Sequence, residues 1–137
     1  MSEKILGTLA IVDDHALTRK TLSCRFASLG YTIVLEAENG TEFVDKMKTH
    51  SVPDICLLGI NRPSMGSLVT AIRMKREWPG IKILFFSMLN SDAYADNLMK
   101  IGVEGFISKS APFAELNDTL LSMMQKMPAT SMGIVCD

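Results

Sequence analysis

Five short apolar runs recur along the chain, and helix-like stretches with apolar positions three to four residues apart stand between them. The first run is Leu6 to Val12, closed by Asp13-Asp14. Behind it Leu22, Phe26 and Leu29 fall at i, i+4 and i+7, one face of a helix that Gly30 ends. Ile33-Val34-Leu35 leads through Glu36-Ala37-Glu38-Asn39-Gly40 to a helix carrying Phe43, Val44 and Met47. Asn39-Gly40 is a turn signal, with Asn39 or Thr41 placed to cap that helix. The run Ile55 to Ile60 is continuously apolar except at Gly59, as suits a strand covered on both faces. Pro63 to Ser67 reads as a long turn, Leu68, Val69 and Ile72 open the next helix, and Trp78-Pro79-Gly80 closes it. Ile81 to Phe86 is the fourth strand, with Ser87 at its end and a helix from about Asp92 to Met99 beyond. Phe106-Ile107-Ser108 is a weaker fifth strand ending at Lys109. Pro112 stands at the first turn of a last helix whose inward positions are Leu116, Leu120 and Met123 or Met124.

Strands alternating with helices predict βαβ units. The fold class expected is α/β: a doubly wound five-stranded parallel sheet, (βα)5 and flavodoxin-like, in a three-layer α/β/α sandwich. Residues 1–127 form the domain, and 128–137, PATSMGIVCD, read as a C-terminal tail or the start of a linker. Ligands of such sheets lie beyond the carboxyl ends of the strands, where strand order reverses. The fold expectation is therefore also a site expectation.

Composition narrows the classes. A chain of 137 residues with 47% apolar residues fills one core. A formal charge of −1 gives this domain no electrostatic basis for binding nucleic acid or an anionic membrane. Cys24, Cys56 and Cys136 are odd in number and lack ligand spacing, so neither a disulfide framework nor a zinc site is expected, and Cys56 reads as a small buried hydrophobe. The first residues, MSEKILGTLAIVDDH, lack the long apolar region of a signal peptide, and no run approaches the length of a membrane span. A cytoplasmic, reduced domain is the expectation.

The strand ends collect Asp13 and Asp14, Gly59, Ser87 and Lys109 on one rim. Adjacent acids repel unless a cation lies between them, so Asp13 and Asp14 suit a hard divalent ion such as Mg²⁺. Ser87 is placed to donate to a phosphoryl oxygen and Lys109 to pair with its charge. Nothing central receives the group, because Gly59 has no side chain. Read without such a rim, Asp13-Asp14 would simply cap a helix start, and Lys109 would be an ordinary solvated lysine. His15 reads as a rim or helix-start residue rather than a ligand.

At these residues the sequence resembles the receiver domain of two-component response regulators (CheY-like), particularly the branch preceding a helix-turn-helix output domain. The matching pieces are IVDDHALTRKTL, EAENGTEFV, PDICLLGINRPSMG, ILFFSM and GVEGFISKSA, in the family's order, across residues 5 to 124. The resemblance implies that Asp13, Asp14 and the backbone carbonyl of Asn61 hold Mg²⁺, that Ser87 and Lys109 sense the phosphoryl group, and that Phe106 is the aromatic switch position. It implies that Gly59 stands where the phosphorylated aspartate belongs. A glycine supplies no nucleophile, and the metal site also loses a ligand, leaving it weak or lost.

Other departures lie nearby. Arg62 stands at a position often apolar in the family, and its guanidinium is a candidate rim cation that pairs with Asp13 or Asp14 in place of the metal. The proline often found directly after the family's lysine is delayed here to Pro112. The reading is thus a pseudo-receiver, not an enzyme, that signals by protein contact. Its implied partners are a histidine kinase or another signalling protein, a second copy through the face of the fourth helix, fifth strand and last helix, and a DNA-binding domain beyond this chain. Two alternatives stand beside it: an orthodox receiver whose aspartate has been replaced by engineering, and a flavodoxin-like cofactor binder. The acids after strand one repel the phosphate that such a binder must cradle. A phosphatase with an aspartyl nucleophile would need a cap domain that 137 residues do not accommodate.

Overall fold

Continuous apolar runs make strands that need cover on both faces, and the fold supplies it. The computed structural model describes residues 6–61, 65–88, 96–97 and 99–125. Strands β1 (Gly7–Val12), β2 (Tyr31–Ala37), β3 (Ile55–Ile60), β4 (Lys82–Ser87) and β5 (Gly105–Ser108) form one sheet in the order β2-β1-β3-β4-β5. Every pairing is parallel. Helices α1 (Ala16–Leu29), α2 (Gly40–Lys46), α3 (Met65–Glu77) and a C-terminal helix (Phe113–Gln125) complete the described elements. The three-layer doubly wound arrangement is the one expected.

Side chains alternate across a strand, so each strand feeds two cores. Leu9, Ile11, Ile55, Leu57, Leu84 and Phe86 pack on one face with Leu22 and Phe26 of α1 and with Leu116, Leu120 and Met123 of the C-terminal helix. Ala10, Val12, Cys56, Leu58, Ile83 and Phe85 pack on the other with Phe43 of α2 and with Ala71 and Met74 of α3. Burial raises the Cys56 thiol well above its ordinary pKa, as suits a cysteine used as a small hydrophobe.

Local chemistry sets the helix ends. Gly30 follows α1 at φ 113, a left-handed conformation that glycine adopts without strain, and its N–H bonds Ala27 O and Phe26 O. Asn39 caps α2, its side chain accepting from Glu42 N at 2.8 Å. At α1 the cap is His15, whose ring Nδ1 accepts from Thr18 N at 3.2 Å, and not the two acids before it.

Two other expectations are corrected. Leu29 is 45% exposed although it shares a helical face with Leu22 and Phe26; it closes the last turn of α1, directly before the Gly30 cap. Strand β2 runs from Tyr31 to Ala37, longer than its three central apolar residues suggested, since pairing with β1 carries Glu36 and Ala37 into the ladder. Of the helix expected over Asp92 to Met99, Asp96, Asn97 and Met99 lie within the described residues and are helical. Met127 and the tail from Pro128 lie outside them.

Strand order reverses between β1, whose chain continues into the β2 side, and β3, whose chain continues into the β4 side. The crevice for a site is therefore at the carboxyl ends of β1 and β3. One further step of the alternation from Ile11, Leu57 and Ile107 places Asp13, Gly59 and Lys109 on the face toward α1 and the C-terminal helix. Asn61 shares that parity with Gly59. By the same count, Ser87 after Phe85 falls on the opposite face, where Phe106 also packs.

Candidate functional site at the carboxyl edge

Asp13 extends β1 by one residue, its N–H bonding Ala37 O at 3.0 Å. Its carboxylate is engaged at both oxygens. His15 N donates to Oδ1 at 2.8 Å, and Lys109 Nζ donates to Oδ2 at 2.7 Å. This ion pair is nearly dry, with the side chains 1% exposed at Asp13 and 7% at Lys109. A pair so enclosed is held by geometry and by its additional hydrogen bonds, since desolvation opposes it.

Those additional bonds are present. Lys109 Nζ also donates to Asn61 Oδ1 at 2.8 Å and lies 5.5 Å from the centre of the Phe86 ring, within cation–π range. Asn61 Nδ2 donates to Asp14 Oδ1, so one amide links the ammonium to the exposed second acid. Arg19 Nη1 donates to the Asp13 carbonyl at 2.6 Å, anchoring the backbone from α1.

Gly59 lies against this network. A Cβ built on it would stand 2.1 Å from Asp13 Oδ2, 2.7 Å from its Cγ and 3.1 Å from its Cβ. Asp13 thus fills the space that any side chain at position 59 would enter. Ser87 is fully buried, and its carbonyl accepts the Lys109 N–H at 2.7 Å. Phe106 is half-buried against the core on the α2 and α3 side. Arg62 lies outside the described residues; among those described, Lys109 is the cation on the Asp13 carboxylate.

The donor set does not suit a hard divalent ion as it stands. Mg²⁺ needs free oxygens in octahedral array, whereas both Asp13 oxygens accept protein N–H groups and an ammonium stands on one of them. Among the described residues no group of three or more His, Cys, Asp or Glu side chains converges. What the cluster does chemically is compensate buried charge internally.

Sequence reasoning expected only the backbone carbonyl of Asn61 at this rim; its side chain proves to be the bridge. Two-residue parity with Gly59 was the available signal. The Arg19 contact, six residues from Asp13 across a helix start, left no signal in the sequence.

Residues 9–121 match the family model described as the response regulator receiver domain. The chain is 32% identical over 111 residues to a putative transcriptional regulator of Pseudomonas aeruginosa, covering 81% of this chain and 53% of that protein. It is 30% identical over 107 residues to the response regulator GacA of Pseudomonas syringae, covering 77% and 50%. The chain thus spans about half the length of these curated relatives. Its fold is shared with a LuxR-family two-component response regulator from Aurantimonas, at a TM-score of 0.78, 24% identity, and 88% and 86% coverage of the two chains. It is shared as well with the signal receiver domain of the putative response regulator NarL from Mycobacterium tuberculosis, at a TM-score of 0.75, 24% identity, and 91% and 99% coverage. With the family's model running through nearly every described element, from β1 into the C-terminal helix, the chain belongs to the response regulator receiver domains, the non-catalytic input modules of two-component signalling.

Proposed function

We propose that this receiver domain takes no phosphoryl group at the usual position and signals through the conformation it already holds, by contact with other proteins. The observation that carries the proposal is Gly59: there is no oxygen to attack phosphorus, and the volume beside its Cα is filled by the Asp13 side chain. Asp54, Asn61 and Asp13 do not substitute for it. Asp54 lies five residues upstream, roughly 16 Å along the strand by the rise per residue. Asn61 carries a carboxamide, a poor nucleophile, and Asp13 is bonded at both oxygens. Ser87, Lys109 and Phe106 keep the residue types of the sensing positions, and Lys109 now answers to Asp13 instead of an acyl phosphate.

Its partners in this proposal are a histidine kinase or another signalling protein, a second copy through the face that includes β5 and the C-terminal helix, and a DNA-binding output domain beyond residue 137. The similarity to a putative transcriptional regulator supports the last of these. The test is intact mass after incubation with Mg²⁺ and a small acyl-phosphate donor, with an orthodox receiver to prove the reagents and Gly59→Asp alongside. The unaltered chain is expected to keep its mass. A phosphoryl adduct on it overturns the proposal; an adduct on Gly59→Asp alone assigns the silence to that one position.

A further inference from the structure

Resting on that reading, we propose that the carboxyl edge is a metal-independent lock: the Lys109 ammonium compensates Asp13 where a divalent ion would otherwise be needed, and the bare Cα of Gly59 is what lets Asp13 reach it.

Position 59 is not glycine for backbone reasons. Among the described residues the positive-φ glycines are Gly7, Gly30 and Gly102, and Gly59 is not one of them, so its backbone conformation is open to other residues. The constraint is one of space. A Cβ would collide with the carboxylate of Asp13 at 2.1 Å and crowd the root of the same side chain at 3.1 Å, so rotating the carboxylate alone does not clear it. The rotamer that brings Oδ2 to Lys109 is therefore available only while residue 59 lacks a side chain.

The Asp13 carboxylate and the Lys109 ammonium are both engaged. One Asp13 oxygen accepts His15 N and the other the ammonium. The ammonium itself is held by Asn61 Oδ1 and faces the Phe86 ring. Asn61 must present its oxygen to Lys109 and its NH₂ to Asp14, because only that orientation matches a donor to each acceptor. The second acid is thereby tied to the first through one amide and one ammonium. A divalent ion entering here would have to displace a desolvated ammonium from its partner and take its place at a carboxylate already bonded at both oxygens.

Two measurements test this. Mn²⁺ is titrated into the isotopically labelled chain and amide signals are followed, and thermal unfolding is recorded with and without millimolar Mg²⁺ for the unaltered chain and for Lys109→Met. The unaltered chain is expected to show no selective broadening at residues 13–15 and 59–61 and no Mg²⁺-dependent change in Tm. Lys109→Met, which keeps the stem and removes the charge, is expected to melt lower and to regain part of the loss in Mg²⁺. Selective Mn²⁺ broadening in the unaltered chain overturns the lock, even if Lys109→Met does not fold. A folded Lys109→Met indifferent to Mg²⁺ also overturns it. Divalent binding without phosphoryl uptake would sink the lock and leave the phosphate-silent reading standing, whereas a phosphoryl adduct on the unaltered chain sinks that reading itself.

Discussion

The two edges of the sheet each set an aspartate beside a glycine across β1 and β3, and they handle the carboxylate in opposite ways. At the amino edge Asp54 Oδ2 accepts the Thr8 N–H at 3.0 Å while Asp54 N donates to Thr8 Oγ1 at 2.9 Å, a reciprocal pair of backbone-to-side-chain bonds with no cation in it. Asp54 is only partly buried, so its carboxylate is not cut off from solvent. At the carboxyl edge Asp13 is 1% exposed and has an ammonium of its own. Burial, not the presence of an acid, decides which edge needs a counter-charge.

The glycines differ in the same sense. Gly7 has φ +149, which favours glycine outright, and a Cβ there would meet the flexible end of Met124, its Cε at 2.3 Å. Gly59 has no such backbone demand and confronts a short side chain rooted in a neighbouring strand. One glycine serves the chain's path, and the other makes room for a charge pair.

The contrast can be broken at its strongest point first. Lys109→Met leaves the buried Asp13 carboxylate without a counter-charge, which costs roughly 3–5 kcal/mol. Urea unfolding should show it as a large fall in midpoint, while any variant at Asp54 retains most of the stability.

Gly59→Ala inserts the methyl that Asp13 excludes. Overpacking of this kind costs about 1–3 kcal/mol, partly offset by the lower entropy of the unfolded alanine chain. The same measurement on the double variant with Lys109→Met should give less than the sum, because both act on one ion pair. Additive losses would separate Gly59 from the pair.

At the amino edge, Asp54→Asn keeps an acceptor for Thr8 N and removes only the charge, so a loss of about 1 kcal/mol or less is expected. A loss matching that of Lys109→Met would erase the distinction between the edges.

The smallest effect lies at the surface. The Glu42 carboxyl is held below its ordinary value of 4.5, first by the Glu38 N–H and then by Lys46. A lowered folded value contributes stability above the unfolded value and loses it as pH falls through the folded one. The stability difference between the unaltered chain and Glu42→Gln should therefore shrink as pH falls below about 4.5. Chemical denaturation across that range checks it, and the exposed site keeps the amplitude small.

Much of the site was legible because parity along a strand is a sequence property. Residues 13, 59, 61 and 109 each lie an even number of steps beyond a core position, and β3 was readable to the residue as Ile55–Ile60 because its apolar run has sharp ends. Leu29 misled because helical periodicity gives a face and not the burial of each residue along it. His15, read from the sequence as a rim or helix-start residue, proves to be the cap of α1.

The sequence by itself determined that a parallel sheet would bring two acids, a glycine and a lysine to one rim: alternation and residue identity are local, and survive any detail of packing. Only the tertiary structure decided that Asp13 turns into the space beside Gly59 and takes Lys109 from 96 residues away as its partner. That choice depends on which volumes are left empty and which charges are shut off from water, and both arise only when the strands and helices have closed on one another.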